Sequence, residues 1–415
     1  MPGSGSGVAE DVAALELPKR SLGQIRGFDG IRGVAVLIVF VSHLEVILPI
    51  PSLLVIPGGT VSLDMFFVLS GFLITMLLLR EQARYGRIGR LAFYRRRAMR
   101  LLPALAVVVL ATALFDFATS HWAKHEVPTI LSVTFYYSNY YEAASPNAYC
   151  ANLSQGFSHL WSLSFEEQFY LIWPWVTIAL LSIRTRLRTV VVILLSLIVL
   201  VAVHRAVSYQ GIQSWCALFH RTDTRADSIL WGALLAHIWV RGKEPTRGVR
   251  VAAWIAAGFL LICMPFADLT GPFLYRGGLV AIDFACAVVI LAIVDGRWIG
   301  RHLFELKPFV GLGLVSYAFY LWHMPVFFGI RHYDKHWADW IRVAVAFLLT
   351  LALTLLSWYL LERPMMRWKD RIESRRQETE LATTPAQPVV TADRPGSLPK
   401  GGLSTITPEP RSRGD

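Results

Sequence analysis

The chain has 415 residues, 54% of them hydrophobic and 17% charged, with a formal net charge of +11 at pH 7. A soluble domain carries closer to a quarter charged residues, so this balance argues against an ordinary soluble enzyme. The basic excess does not call for nucleic acid: no GxxxxGK[ST] loop and no strand–GxGxxG–helix segment occurs, and basic linkers beside apolar spans set topology and attract anionic lipid.

In chain order, residues 1–18 are rich in Gly and Ser and read as a disordered tail. Ten apolar spans follow, with cores at 31–49, 61–79, 101–118, 159–180, 189–204, 226–240, 250–266, 276–294, 308–330 and 341–361. Each is near the length a helix needs to cross a bilayer, and a helix satisfies its own backbone in lipid. The expected fold class is therefore an all-α polytopic membrane protein with about ten transmembrane helices. The fifth and sixth spans are the shortest.

Arginine and lysine alternate with the linkers. Arg80 to Arg100 supply eight arginines after span two, Arg184, Arg186 and Arg188 follow span four, and Arg241 to Arg250 follow span six. Arg297, Arg301 and Lys307 follow span eight, and Arg363 to Arg376 follow span ten. The intervening linkers are poor in both; the stretch 119–158 has only Lys124. The basic side is cytoplasmic by the positive-inside rule, which puts both termini inside. The expected organisation is a cytoplasmic tail at 1–26, a membrane domain at 27–365 and a cytoplasmic, largely disordered tail at 366–415, in the plasma (inner) membrane. No cleavable signal precedes span one, which is expected to insert itself. Cys150 and Cys216 fall in outward linkers, where a disulfide is permitted by compartment but not dictated by spacing. Cys263 and Cys286 fall in spans, as core residues do, and no Cys/His spacing suggests zinc.

Ionisable groups inside a span are costly and mark function or a buried pair. Counting ~1.5 Å per residue places His43, Asp64, Glu166, Asp283 and His323 in one layer roughly 5–12 Å below the outer surface. Each alone reads as a satisfied core polar group; together they fit a catalytic chamber or a proton-coupled transporter, and depth does not choose. At the inner face, Arg97 and Arg100 are three residues apart and share a helix face, and Arg32 sits near the inner end of span one. Guanidinium forks suit phosphate, while topogenic charge and snorkelling explain the same residues.

These residues lie within recognisable blocks. Phe28-Asp29-Gly30-Ile31-Arg32 leads to His43, with ten residues between Arg32 and His43. Ser62 to Ile74, Arg97-x-x-Arg100 with Pro103, Trp161-Ser162-Leu163-Ser164-Phe165-Glu166-Glu167-Gln168-Phe169-Tyr170, and Ser316 to Pro325 follow. Arg225, Asp227 and Gly232 form a weaker block, and Glu362-Arg363-Pro364 closes the series. In this order the chain resembles the membrane acyltransferase-3 family, which includes bacterial O-acetyltransferases of surface polysaccharides. The resemblance spans about 27–365.

The resemblance implies an acyl-CoA-dependent O-acyltransferase. Acetyl-CoA is the expected donor and succinyl-CoA the alternative; the acceptor is a hydroxyl of an extracytoplasmic envelope polysaccharide or glycolipid; no metal is expected. It makes His43 the catalytic residue, with Glu166 and His323 as supporting polar groups, and Arg32, Arg97 and Arg100 as donor-site or structural arginines. A further expectation from depth is that Asp64 orients His43, against pairing with Arg32 or His323. Acceptor entry is expected along Phe135, Tyr136, Tyr137, Tyr140 and Tyr141, which an interfacial aromatic belt explains equally. The residues after Arg376 are too few for an appended esterase-like domain. The rival class is a proton-coupled transporter, although the halves show no matching repeat.

Overall fold

The computed structural model describes residues 25–48, 58–122, 124–145, 150, 152–182, 186–241, 245–333, 336–368 and 371. The two expected tails fall almost wholly outside these residues. Every regular element among the described residues is helical: α1 Arg26–Ser42, α2 Gly59–Tyr85, α3 Arg90–Ala118, α4 Glu126–Thr134, α5 Ser138–Ala143, α6 Trp161–Ser182, α7 Leu187–Ser208, α8 Trp215–His220, α9 Thr222–Arg241, α10 Arg247–Cys263, α11 Leu279–Asp295, α12 Arg301–Phe304, α13 Lys307–Leu314, α14 Ser316–Tyr333 and α15 Asp339–Ser357. Short 3₁₀ turns, His43–Val46 and Gln155–Leu160, follow α1 and precede α6.

Each predicted apolar core falls on helical structure, but the ninth, 308–330, is divided between two helices, α13 and α14. Seven described helices are long and apolar enough to cross a membrane, and an eighth counts if α13 and α14, bent by 77°, form one broken span. α6 and α9 occur where spans four and six were expected. Glu166, Glu167 and Gln168 in one, and Asp223, Arg225 and Asp227 in the other, keep them out of that set. α3 begins eleven residues before its predicted core, so the run Arg95–Arg100 is helical.

α2 and α11 are two-thirds buried by the surrounding protein, whereas α7, α10 and α15 are about one-fifth buried, which puts the first two at the centre and the others on the rim. Close packing rests on small residues, the usual device where lipid supplies no hydrophobic drive between helices. Gly71 of α2 lies on the Ile229 carbonyl of α9, and Gly232 of α9 on the Val68 carbonyl of α2; a Cβ at either would strike backbone. Gly313 meets the Asp29 backbone in the same way, joining α13 to α1. Outside the bundle, Cys150 is disulfide-bonded to Cys216, tying the segment after α5 to α8. Cys263 and Cys286 are free and buried.

Candidate active site

A cavity of about 480 Å³ runs beside α2. Its α2 wall extends from Leu63 to Arg80, which is ~25 Å of helix. The end nearest the α2–α3 turn is lined by Arg80, Arg96, Arg97, Arg100 and Arg32, against only Glu166 and Glu167. The cavity is therefore positive, and all three predicted donor-site arginines lie on it.

Two of those arginines are held by carboxylates. Arg97 donates to Glu167 at 3.0 Å and stacks over the Tyr170 ring at 3.5 Å. Arg32 lies 3.6 Å from Asp29, one turn back on α1. The wall is fixed further by Arg96, which donates to Glu81 at 3.0 Å.

Glu166 belongs to this wall. Tyr170 donates to it at 2.6 Å and Ser70 at 3.3 Å. The sequence-based depth layer grouped Glu166 with the histidines; the helix register instead turns it toward Tyr170 and the arginines.

At the far end the lining is Leu63, Phe66, Ser162, Leu163, Tyr317 and Tyr320. The Tyr320 hydroxyl donates to the His159 carbonyl at 2.5 Å, so its 2.6 Å contact with Ser162 is a hydrogen bond that the serine donates. This phenol closes the cavity, and neither His43 nor His323 lines it.

Behind the phenol sit three imidazoles. The His43 and His323 ring centroids are 5.2 Å apart, and those of His323 and His159 are 4.8 Å apart. Tyr320 packs on both His159 and His323, at 4.9 and 5.4 Å. His43 stands where α1 tightens into the 3₁₀ turn, and its Nδ1 contacts the Val39 carbonyl at 2.9 Å. A carbonyl only accepts, so Nδ1 carries the proton and Nε2 the lone pair. His323 repeats the arrangement, with Nδ1 on the Tyr320 carbonyl at 2.5 Å, and its Nε2 has no hydrogen-bond partner. Pro325 lacks an N–H, so in this turn of α14 the Leu321 carbonyl also loses its helical donor.

Asp64 does not orient His43, and it pairs with neither Arg32 nor His323. It accepts from Arg225 of α9, while Ser228 donates to Asp283 at 3.0 Å. Arg205 of α7 grips Asp227 through two bonds of 2.7 Å. Two carboxylates of the expected layer, Asp64 and Asp283, thus turn to α9, where Arg225 gives Asp64 the counter-charge it needs once buried and Ser228 gives Asp283 a hydrogen bond. His159 was missed as a site residue: it stands just ahead of Trp161 and was read as the edge of a span. Cys150, Cys216 and His220 lie close enough to hold a metal ion, but the disulfide leaves no thiolates there.

In α5, outside the apolar spans, Glu142 accepts the Leu153 N–H at 2.6 Å. Burial pushes its carboxyl up to about 7, partly opposed by that hydrogen bond.

Residues 25–362 match the family described as an acyltransferase domain. A Bacillus subtilis protein, YrhL, named only provisionally as a peptidoglycan O-acetyltransferase, is 31% identical over 85% of this chain and 56% of its own length. The Listeria monocytogenes peptidoglycan O-acetyltransferase OatA is 30% identical over 73% of this chain and 49% of its own. The Staphylococcus aureus O-acetyltransferase OatA is 29% identical over 82% and 57%. The chain spans about half the length of these curated relatives. No solved structure matches it.

Proposed function

Since the chain belongs to the acyltransferase domain family, we propose that it moves an acetyl group from cytoplasmic acetyl-CoA to a hydroxyl of an envelope glycan outside the plasma membrane. Peptidoglycan is the first acceptor to test, because relatives are named for it. In this reading ten helices cross the bilayer, α6 and α9 among them, and the arginine end of the cavity faces the cytoplasm with both termini.

One observation carries the proposal: a single cavity begins among five arginines and ends at the phenol that covers the imidazoles. The CoA phosphates bind Arg32, Arg97 and Arg100 through charge-assisted hydrogen bonds. A pantetheine arm of roughly 15–20 Å then lies along most of the ~25 Å wall of α2. The thioester reaches His43 only when Tyr320 gives up its hydrogen bonds to Ser162 and the His159 carbonyl and swings aside. The Nε2 lone pair of His43 then takes the proton of the acceptor hydroxyl as that oxygen attacks the thioester, or attacks the thioester itself. Either way the acyl carbon–sulfur bond breaks with its electron pair on sulfur, and a carbon–oxygen bond forms to the glycan.

The test is full-length protein in proteoliposomes with labelled acetyl-CoA, succinyl-CoA in a parallel arm, and peptidoglycan fragments in the lumen. Transfer to lumenal glycan should depend on His43 and fall on the order of 10²–10⁴-fold in His43→Ala, the usual worth of a positioned acid–base group. A fully active His43→Ala protein refutes the mechanism. Preferred turnover of succinyl-CoA would reassign the donor. Label retained on unaltered protein after a brief pulse without acceptor, and lost from His43→Ala, selects the acyl-enzyme route.

A further inference from the structure

His159 is an unusual residue to find buried. It is only 3% exposed, on the 3₁₀ turn ahead of α6, and neither of its ring nitrogens has a hydrogen-bond partner. An unpaired polar group at that depth costs roughly 1–3 kcal/mol. Packing alone would be served as well by Phe, without that cost. Its ring lies 4.8 Å from that of His323, whose Nε2 is also unpartnered, and His323 in turn lies 5.2 Å from His43. Three rings from three separate segments thus form one contiguous row.

We propose that His159 is a positioning residue for acyl transfer, the last imidazole of a relay His43–His323–His159 that takes the acceptor's proton away from the reacting atoms. The proposal rests on the acyl-transfer reading above. As the carbon–oxygen bond forms, the hydroxyl proton passes to the Nε2 lone pair of His43, or directly to that of His323 if His43 carries the acyl group. It is then shared with His159 until the thiolate sulfur or water takes it. No oxidant or further reactant is needed. The Tyr320 and Leu321 carbonyls stand beside His159 and are acceptors for an imidazolium N–H. The row has no carboxylate partner among the described residues, so its rings share one positive charge at most and titrate as a unit.

The groups that face His159 are few. His43 comes from the turn after α1, and Tyr320 and His323 come from α14. Glu126 of α4 accepts from Ser154 at 3.1 Å, beside the start of the 3₁₀ turn, with Asp116 of α3 nearby. Glu166 is committed to Tyr170 and Ser70.

The experiment compares unaltered full-length protein, His43→Ala, His159→Phe and His159→Asn in proteoliposomes, with two readouts. The first is the pH dependence of diethyl pyrocarbonate modification of His43, followed by mass spectrometry, which needs no substrate. Removing a neighbouring base that competes for the proton should raise the His43 midpoint in both His159 variants. The second is transfer from labelled acetyl-CoA to peptidoglycan fragments. Both variants should lose kcat on the order of 10²-fold, with KM for acetyl-CoA within about twofold and a displaced acid limb of the pH profile. An unchanged midpoint overturns the relay, as does parental activity in His159→Phe or recovery in His159→Asn, which keeps hydrogen bonding but not basicity. Should unaltered protein fail to transfer, or His43→Ala match it, the acyl-transfer reading falls, and the role in transfer assigned to His159 falls with it. A shifted midpoint in that case still establishes the coupled row.

Discussion

The Arg205–Asp227 and Arg225–Asp64 pairs and the three imidazoles are both buried polar clusters, but only the first is matched by opposite charge. In the first, the guanidinium groups sit against carboxylates and tie α7, α9 and α2 together. In the second, the rings face one another, with unused nitrogens on His159 and His323. A cluster that neutralises itself serves the fold, because each charge is fixed by a partner that has nowhere else to go. A cluster of bases with no counter-charge is poor at holding helices together and well suited to receiving a proton or a carbonyl carbon. Burial of ionisable residues therefore does not identify the site; what they are paired with does.

This contrast is sharpest in mutants. Asp227→Ala strands the fully buried Arg205, which should cost about 3–5 kcal/mol and lower the melting temperature in detergent sharply. Replacing both partners by apolar residues of similar volume should recover most of that loss, whereas His43→Ala should leave the melting temperature near that of the parent. Equal thermal losses in Asp227→Ala and His43→Ala would erase the distinction.

The cavity arginines lie between these extremes, part paired and part open. Arg100→Ala should raise the Kd for CoA about 10–100-fold, from the ~1.5–3 kcal/mol of a charge-assisted hydrogen bond. Arg97→Lys should fail to act as parent, since an ammonium cannot stack flat on Tyr170 while bonding Glu167 as the guanidinium does. Isothermal titration with CoA measures both.

The smallest effect concerns the segment that holds Glu142. The folded Glu142 carboxyl titrates near 7, above its ordinary value of 4.5, so the folded state holds the proton more tightly. Stability of this segment should therefore fall as pH rises from about 4.5 to about 7, and level off above that. Hydrogen exchange at Leu153, whose N–H binds Glu142, follows it, and Glu142→Gln should flatten the dependence.

The sequence made the apolar helices legible because hydropathy is a one-dimensional signal, but it did not show that the core at 308–330 breaks into α13 and α14. The arginine lining was legible too, since Arg97 and Arg100 are three apart on one helix. Depth along a helix was a weaker guide. It placed Asp64, Glu166 and His43 on one level but carried no azimuth, so it could not tell that Asp64 turns toward Arg225 and Glu166 toward Tyr170. His159 was hidden differently. It lies on a short 3₁₀ turn with no periodicity to assign it a face, and only the packing of α14 brings it to His323.

The Tyr320 bar has a consequence for the cell as well as for the chemistry. In the orientation proposed above, a positively lined shaft following ~25 Å of helix would cover most of the ~30 Å hydrocarbon thickness of a bilayer. Left unplugged, it would short-circuit the ion gradient of any membrane that housed it. A single phenol, pinned by one serine and one peptide oxygen, would be the plug that the proposed function needs there.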